Sequence, residues 1–429
     1  MQHEQNWVAL AEILGPRSPH LKALLRAFGT PEGIFAAGEE KLREALPDVG
    51  TGTLRALVGK RTDETARGIV LWCHQNAVRI LPFDHTEYPV VLRELDEPPA
   101  VLYCRGRLPD LQARACVAIV GPRDTDAYGE DVTYKISFEL AAAGAVIISG
   151  LAEGVDGIAT AAALLSGGTP IAVLGCGIDV TYPRHHTRLL AECVERGAVI
   201  TEYAPGTPPN GYNFPVRNRL ISALGDAVLV TQASERSGAL ITARYAVVQG
   251  RPLYAVPGNV TSALSAGSNR LLQSGAYPVL EARDLLNALA PRYHTTLCEK
   301  HFVEAAQYSA LDAERLKGLG LHLCPRAQNA SLEEGEKRAK RKKDKKEKKA
   351  KKETTVASQE RGEAPACLPD LSSLTPRQRE LYAMLPREPF TADVLTAQGV
   401  PISEAASTLT LMEIYGLLTA RPGGTFELK

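Results

Sequence analysis

Glycines and arginines that follow short apolar runs are the residues of this chain best placed to do chemistry. Gly121 and Arg123 follow one such run, Gly150 follows the next, and Ser237 and Gly238 follow a later one. Small residues let backbone N–H groups at a helix start approach a phosphate, and arginine binds phosphate oxygens through two parallel hydrogen bonds. The pattern indicates a phosphate-binding site.

The sequence FPVRNR, which begins at Phe214, adds an aromatic ring and two further arginines. Proline is favoured at a helix start, so we expect Pro215 to begin a helix with Arg217 and Arg219 in its first turn. The helix dipole disfavours cations there by roughly 0.3–1 kcal/mol each, which indicates an external anion or an acidic partner. Because positions i and i+2 point to different sides of a helix, we expect one arginine to bind phosphate and the other to fix structure or a neighbouring subunit. Phe214, exposed in the preceding loop, is either a stacking platform for a base or a core residue that pins the loop.

Other binding and catalytic chemistries are not indicated. No G-x-G-x-x-G follows the first apolar run and no G-K-[ST] is present, which excludes a dinucleotide-binding motif and a P-loop. Asp156 and Asp179 follow glycines near helix starts and are typical N-caps, while His185 and His186 are more typical of a helix start than of a catalytic pair. Ser237 has no identifiable base. We therefore predict a protein that is not an enzyme, with no catalytic residue, no metal ligand and no cofactor.

The apolar runs alternate with helical patterns, and these elements must position the residues above. Six runs rich in Val, Ile and Ala predict parallel strands buried on both faces. Ligands of an open α/β sheet bind at the carboxyl ends of its strands, where all of these loops lie. The alternation predicts a doubly wound, Rossmann-like α/β sheet with strands 116–120, 146–149, 171–174, 198–201, 227–230 and 253–256, and helices 129–143, 156–166, 186–196, 217–224 and 239–249.

The regions on either side of the sheet differ in pattern. The N-terminal region reads as short helices, and its turn 46–52 (LPDVGTG) is either a helix-hairpin-helix turn that contacts phosphate or a tight turn between packed helices. The C-terminal region predicts three helices and a β-hairpin, which together make a winged helix. The expected domains are a helical domain at 1–75, an extended Rossmann-like domain at 76–292, a linker at 293–370 and a winged helix at 371–429.

Charge is distributed unevenly although the totals are equal, at 49 basic and 49 acidic residues. Residues 337–352 hold 12 basic and 2 acidic residues, so the remainder has 37 basic against 47 acidic. These lysines either add non-specific DNA affinity through counterion release or form a solvated linker. Within residues 115–290 there are 11 Arg and 1 Lys against 15 acidic residues, and this bias towards Arg is typical of phosphate recognition. The predicted recognition helix 404–415 has two Glu and no Lys or Arg, which favours a protein contact over duplex DNA.

The cysteines and the apolar runs indicate the cellular compartment and whether the chain spans a membrane. The eight cysteines lie far apart with no C-x-x-C pair, as is normal for free thiols in a reducing cytoplasm. No run approaches 18 apolar residues, and the first residues have no basic region of the kind that begins a signal peptide. We expect a cytoplasmic protein without a membrane span.

Several motifs in order resemble the DNA-processing protein A family (also called Smf). They begin with Tyr88-Pro89-Val90-Val91-Leu92, continue through the loops after the first five strands of the Rossmann-like sheet, and extend to about Val279. The resemblance implies a dimer, formed through the Rossmann-like domain, that binds single-stranded DNA and loads the RecA recombinase onto incoming strands in natural transformation. It also implies a DNA pocket that contains Arg123, Phe214, Arg217, Asn218 and Arg219.

Two departures from the family pattern lie in this predicted pocket. Pro122 replaces a usual Ser and lacks an N–H, and Glu153 stands where the family often has Arg, so binding at this edge is expected to be weaker. The alternative function is a nucleotide-processing enzyme of the lysine-decarboxylase-like group, which cleaves nucleoside monophosphates. The signature of that group, P-G-G-x-G-T-x-x-E, is absent, and Pro257-Gly258-Asn259 is its nearest approach.

Overall fold

The described residues of this computed structural model fall into two units, Met1–Ala327 and Gln328–Lys429. No helix among them is long and apolar enough to cross a membrane. The residues described are 1–59, 63–307, 309–324, 376–386, 388–391, 393–398, 400, 408–409, 412, 417–421 and 425–428.

Short helices form the N-terminal region, as predicted. Local signals start and stop them: the Thr30 side chain accepts a hydrogen bond from the N–H of Gly33, and Pro31 lies in the first turn of the same helix. Trp7 is buried and stacks on Phe83 of the following region, so these helices share one core with the sheet. The helices are α1 Gln2–Leu14, α2 Leu21–Phe28, α3 Pro31–Ala36, α4 Glu39–Ala45, α5 Thr51–Gly59 and α6 Asp63–Gln75.

A nine-stranded sheet is the centre of the first unit, in the order β1-β2-β6-β5-β4-β3-β7-β8-β9. The six predicted parallel strands are confirmed to within two residues as β3 to β8. The antiparallel pair β1 and β2 at one edge and the short β9 at the other were not predicted. The strands are β1 Arg79–Pro82, β2 Val101–Gly106, β3 Cys116–Val120, β4 Val146–Ser149, β5 Thr169–Val173, β6 Ala198–Thr201, β7 Ala227–Val230, β8 Leu253–Ala255 and β9 Tyr277–Pro278.

Helices cover both faces of the sheet, because alternate residues of each strand point to opposite sides. In β3, Val117 and Ile119 pack with Leu140 of the helix that follows, whereas Ala118 and Val120 share the opposite cluster with the helices on either side of β7. The helices of this region are α7 Val90–Arg93, α8 Ala127–Ala142, α9 Val155–Leu165, α10 Thr187–Arg196, α11 Asn213–Leu224, α12 Ala239–Val248, α13 Ala266–Gln273 and α14 Ala282–Tyr293.

The start of α11 differs from the prediction. The helix begins at Asn213 rather than at Pro215, so Arg217 and Arg219 lie beyond its first turn. Pro215 is accommodated because N–H groups in the first turn of a helix have no intrahelical partner to lose. The unfavourable dipole position that we predicted for the two arginines is therefore wrong.

The predicted linker is also wrong for residues 293–324. Two more helices follow α14, namely α15 Glu299–Ala306 and α16 Ala313–Gly318, and both belong to the first unit. Pairs of apolar residues three apart, Phe302 with Ala305 and Leu316 with Leu319, are buried in the core. The rest of the predicted linker, including the lysine-rich residues 337–352, lies outside the described residues.

The second unit contains the predicted β-hairpin and part of the predicted helices. Its three-stranded sheet has the order β10-β12-β11, in which the small strand β10 was not predicted. Leu381, Phe390, Leu395 and Met412 share its hydrophobic cluster. Most of the predicted helix 404–415 lies outside the described residues, so the winged helix stays a prediction. The described elements are helices Pro376–Ala383 and Asp393–Thr396 and strands β10 Phe390–Thr391, β11 Leu418–Arg421 and β12 Thr425–Leu428.

Candidate functional site

The predicted site residues lie at one edge of the sheet, at the carboxyl ends of the parallel strands. The order of the strands reverses at β3, because β4, β5 and β6 extend to one side of it and β7 and β8 to the other. Such a switch point leaves a crevice between diverging loops, where ligands of open α/β sheets bind. Gly121 and Arg123 follow β3, and Gly150 follows β4. Ser237 and Gly238 lie in the loop between β7 and α12.

Arg123 is exposed and lies against two aromatic rings. Its guanidinium carbon is 4.8 Å from the centroid of the Phe214 ring and 6.0 Å from that of Tyr182. The two rings are 5.3 Å apart between centroids. A guanidinium over an aromatic face gains roughly 0.5–1 kcal/mol at an exposed site, which orients the side chain. No carboxylate of the described residues forms an ion pair with Arg123, although the buried Asp156 is near enough for the two charges to interact, so the exposed side of the guanidinium is open to a ligand.

Arg217 lies beneath this arginine–aromatic cluster of Arg123, Tyr182 and Phe214, and it is only 3% exposed. Its Nη1 donates hydrogen bonds to the carbonyl oxygens of Gly150 and Val173, at the ends of β4 and β5. Its Nε donates to Oδ1 of Asn218 over 3.1 Å. Burial lowers the pKa of Arg217 from its ordinary value, and the charge of Asp156 opposes this. Arg217 thus links the ends of β4 and β5 through its hydrogen bonds.

Asp156 is the counter-charge of Arg217, a role that the sequence analysis missed. We predicted an N-cap, but Gly154 occupies that position in α9 and Asp156 lies inside the helix. Burial raises the pKa of the Asp156 carboxyl, while Arg217, Arg123 and a hydrogen bond from the backbone of Gly150 lower it. A buried arginine needs a nearby carboxylate. A buried arginine therefore predicts a carboxylate partner, but the spacing of the two residues in the sequence does not reveal which carboxylate it is.

Arg219 has a structural partner of its own. Its Nη1 and Nη2 donate to the two carboxylate oxygens of Glu202 over 2.7 and 2.6 Å. The side chains of this bidentate pair are 3% and 2% exposed. Burial lowers the pKa of Arg219, but the charge and hydrogen bonds of Glu202 outweigh burial and raise it. Since Arg217 and Arg219 both have internal partners, the structure supports structure-fixing roles for the two and leaves Arg123 as the accessible arginine of the cluster.

The exposed loop position predicted for Phe214 is wrong, and the alternative, a ring that packs against the core, is closer to the structure. The residue lies in the first turn of α11 and is half-buried, rather than exposed in a loop. Gly175 provides the space, since a Cβ there would lie 2.9 Å from Cδ1 of Phe214. Phe214 therefore packs on the end of β5 and supports Arg123. Tyr182, the second ring against Arg123, was not among the predicted site residues.

Close packing between two loops holds Arg123 in place. A Cβ on Gly121 would lie 2.8 Å from Cγ1 of Val155, so only glycine allows this approach. The carbonyl oxygen of Pro122 accepts a hydrogen bond from the N–H of Val155 over 3.2 Å. Proline keeps that carbonyl, so the departure at Pro122 preserves the contact between the loop and α9.

Ser237 and Gly238 have local contacts of their own at the start of α12. The Ser237 hydroxyl accepts a hydrogen bond from the N–H of Ala239, at the start of α12. A Cβ on Gly238 would meet no atom within 4 Å. Within the described residues, neither residue has a hydrogen bond or ring contact with Arg123 or Phe214. Their part in a ligand site stays a prediction.

This architecture is that of a Rossmann-like α/β protein with an exposed arginine at the carboxyl edge of its sheet. The sequence model of the family described as DNA recombination-mediator protein A matches residues 79–290. Protein Smf of Escherichia coli is 41% identical over 360 residues, which are 83% of this chain and 79% of that protein. The DNA processing protein DprA of Bacillus subtilis is 36% identical over 218 residues, which are 51% of this chain and 73% of that protein. The chain belongs to the DNA-processing protein A (DprA/Smf) family, as the resemblance predicted.

Two solved structures are also similar. DprA of Streptococcus pneumoniae has 31% identity and a TM-score of 0.49, covering 64% of this chain and 98% of that chain. DNA processing protein A of Helicobacter pylori, described for its single-stranded DNA binding mode, has 34% identity and a TM-score of 0.46. That match covers 51% of this chain and 97% of the Helicobacter chain.

Two of the predicted site glycines make a matched test of the site. Gly150→Ala should lower the free energy of unfolding by about 1–3 kcal/mol, because its Cβ would lie 2.6 Å from the Arg217 guanidinium nitrogens and close to the Asp156 carboxylate. Gly238→Ala, with open space around it, should change that free energy by less than about 1 kcal/mol. Urea denaturation measures both variants. Equal destabilisation of the two would contradict the tight packing at Gly150.

The ion pair of Arg219 can be tested by removing its partner. Glu202→Ala should lower the free energy of unfolding by about 3–5 kcal/mol, because a buried guanidinium loses its counter-charge. The matched control is Glu235→Ala, which breaks the exposed pair with Arg270 and should cost about 0–1 kcal/mol. Denaturant melts of both variants give the comparison. Unchanged stability of Glu202→Ala together with tighter DNA binding would show instead that Arg219 is an accessible DNA ligand.

Proposed function

We propose that this protein binds single-stranded DNA at the arginine–aromatic cluster. The observation that carries the proposal is Arg123, exposed at the switch point of the sheet, oriented by two rings and in no ion pair with a carboxylate of the described residues. Membership of a family described as a DNA recombination mediator supports the choice of nucleic acid as the ligand.

The chemistry of the cluster suits a single strand better than a duplex. Binding of single strands combines cationic groups that follow the phosphates with aromatic rings that contact unpaired bases. Arg123 supplies the cation, and Phe214 and Tyr182 supply two half-buried rings beside it. In a duplex the base faces are stacked inside the helix and cannot reach such rings. Arg217, with its hydrogen bond to Asn218, lies beneath the cluster and holds the strand ends in place.

Charges close to the cluster must account for the proposed affinity for single-stranded DNA. Outside the lysine-rich segment the chain has 37 basic and 47 acidic residues, so its overall field does not attract a polyanion. An exposed arginine without a carboxylate partner therefore contributes a large share of the attraction. Its removal is the sharpest test of the site.

Arg123→Ala should weaken binding of a fluorescent oligothymidylate by about tenfold or more, through loss of a charge-assisted hydrogen bond. The slope of log affinity against log salt should become shallower by about 0.7 for each phosphate that the variant no longer neutralises. Fluorescence anisotropy at several salt concentrations measures both quantities.

The matched control is Arg196→Ala, which removes an exposed arginine at the C-terminal end of α10, on the opposite edge of the sheet. It should leave both affinity and slope close to wild type. If Arg123→Ala and Arg196→Ala behave alike, the cluster is not the DNA site. Absence of binding by the wild-type protein would contradict the proposed function itself.

We further propose that the protein acts in the cytoplasm as a homodimer, joined through the Rossmann-like unit, that loads the RecA recombinase onto DNA. The family description as a recombination mediator supports the RecA role. Exposed apolar side chains near β9 and the end of α12 support self-association, namely Val247, Val248, Val260, Tyr277 and Leu280.

Assembly and RecA loading can be tested with the same variant. Light scattering should give twice the chain mass of 46.1 kDa for both wild type and Arg123→Ala. Wild type should speed RecA assembly on single-stranded DNA coated with a competing binding protein, and Arg123→Ala should not, because loading requires DNA to be held. A monomeric wild type, or equal stimulation by the two proteins, would contradict this part of the proposal.

The proposed activity is binding without turnover. The alternative, hydrolysis of nucleoside monophosphates, is not favoured, because the family model and the relatives that match are DNA-processing proteins. Release of a nucleobase from AMP by the purified protein would support the alternative instead.

A further inference from the structure

Two histidines and a glutamate meet beside the strand-end edge. Glu153 lies in the loop after β4, His185 in the short 3-10 helix Arg184–His186, and His322 in the segment after α16. Nε2 of His185 is 3.0 Å from Oε1 of Glu153. The rings of His185 and His322 stack with centroids 4.3 Å apart and planes at 27°. One potential ligand atom from each residue lies within 4.8 Å of the others.

The packing around these residues holds them in this arrangement. Gly320, with φ of +93°, allows its segment to approach the backbone of His185, where a Cβ would lie 3.0 Å from the carbonyl carbon. Leu319 and Leu321 on either side are buried in the core. His322 is therefore brought to His185 by a well-packed backbone, while its own side chain is exposed and able to rotate.

The hydrogen bonding of His185 is incomplete. Its Nε2 is sealed from solvent and makes no hydrogen bond of normal geometry, although Glu153 lies within ion-pairing distance. The neighbouring His186 has a different role, since it is buried and its Nδ1 contacts the carbonyl oxygen of Leu151 over 3.0 Å. A buried imidazole nitrogen without a hydrogen bond, beside a carboxylate and a second imidazole, has the donor set of a metal site.

We propose that Glu153, His185 and His322 bind a divalent transition-metal ion of the zinc class. Imidazole nitrogen together with carboxylate oxygen suits zinc and its neighbours, whereas calcium and magnesium prefer oxygen ligands alone. Zinc binds these atoms at about 2.0–2.2 Å, which places the ligand atoms of a tetrahedral site roughly 3.4 Å apart. Nε2 of His185 and Oε1 of Glu153, at 3.0 Å, are already near that spacing, so His322, within 4.8 Å of them, must approach by roughly 1 Å. Rotation of the exposed His322 supplies that movement. Three protein ligands leave a fourth position for water.

Metal binding at this place does not depend on the DNA proposal, although the two sites are close. Gly154, next to Glu153, lies against the carbonyl of Arg123. A bound dication would replace the negative charge of Glu153 by a net positive charge on that side of the arginine–aromatic cluster. The other interpretation of the contacts is a simple Glu153–His185 ion pair, which would bind no metal.

The test uses the tag-free, full-length protein after removal of metal with a chelator. Zinc chloride is titrated in competition with a chromogenic chelator, and cobalt chloride is titrated in parallel to record the visible absorption of a low-coordinate Co²⁺ site. Wild type should bind one ion per chain at this site. His322→Ala should weaken binding by about tenfold or more, because one of three protein ligands is removed. His301→Ala removes an exposed histidine of α15 outside the cluster and should bind as wild type.

Melting temperature gives a second readout. Zinc at a hundredfold excess over its dissociation constant should raise the melting temperature of wild type and His301→Ala by about 3 °C or more. His322→Ala at the same zinc concentration should show a much smaller rise. Glu153→Gln removes the charged ligand without changing side-chain size and should behave like His322→Ala. Agreement between the two variants would show that the loss of zinc binding does not come from a folding defect in one of them. Equal zinc affinity in wild type, His322→Ala and Glu153→Gln, or no cobalt spectrum in wild type, would overturn the proposal.

Discussion

The buried guanidinium of Arg217 is the interaction on which the strand-end edge depends. It donates to the carbonyl oxygens of Gly150 and Val173, which lie at the ends of two neighbouring strands. A buried charge is costly unless it is paired, and Asp156 offsets that cost. The three groups fit together only because Gly150 has no side chain. The edge is thus held by internal contacts, and preorganisation of this kind lowers the entropic cost of binding.

This arrangement divides the arginines of the site by function. Arg217 and Arg219 hold the loops from inside, each with a carboxylate close by, and Arg123 extends outside against two rings. In the proposed site, the loops that the inner arginines hold fix the position of the outer one, which would then lose less freedom when it meets a phosphate. Arginine suits both positions because its planar group hydrogen-bonds in several directions and stacks on aromatic rings.

The sequence predicts some of these features and not others, for physical reasons. The six parallel strands are uninterrupted apolar runs between glycine turns, so their pattern is local and readable. The partners of Arg217 cannot be read from a local pattern. Asp156 lies 61 positions away in the sequence, and a pattern of charges does not show whether an arginine contacts such a distant carboxylate or a phosphate. Helices α15 and α16 were missed since α15 has only two buried apolar residues and α16 only one, too few for a clear period. Phe214 was misplaced because its burial depends on the missing side chain of Gly175.

The acidic character of the folded part sets a limit on what one cluster can achieve. In the proposed site, a single exposed arginine with two rings would provide few phosphate contacts, so the cluster of one copy would hold only a few nucleotides. A proposed second copy would place another Arg123 on the same strand, and the second contact would form at high effective concentration. Two weak sites then act as one stronger site, while each remains weak enough to release its segment. Release of this kind is what a protein that passes DNA to a recombinase requires, because a single very tight site would compete with the recombinase for the strand.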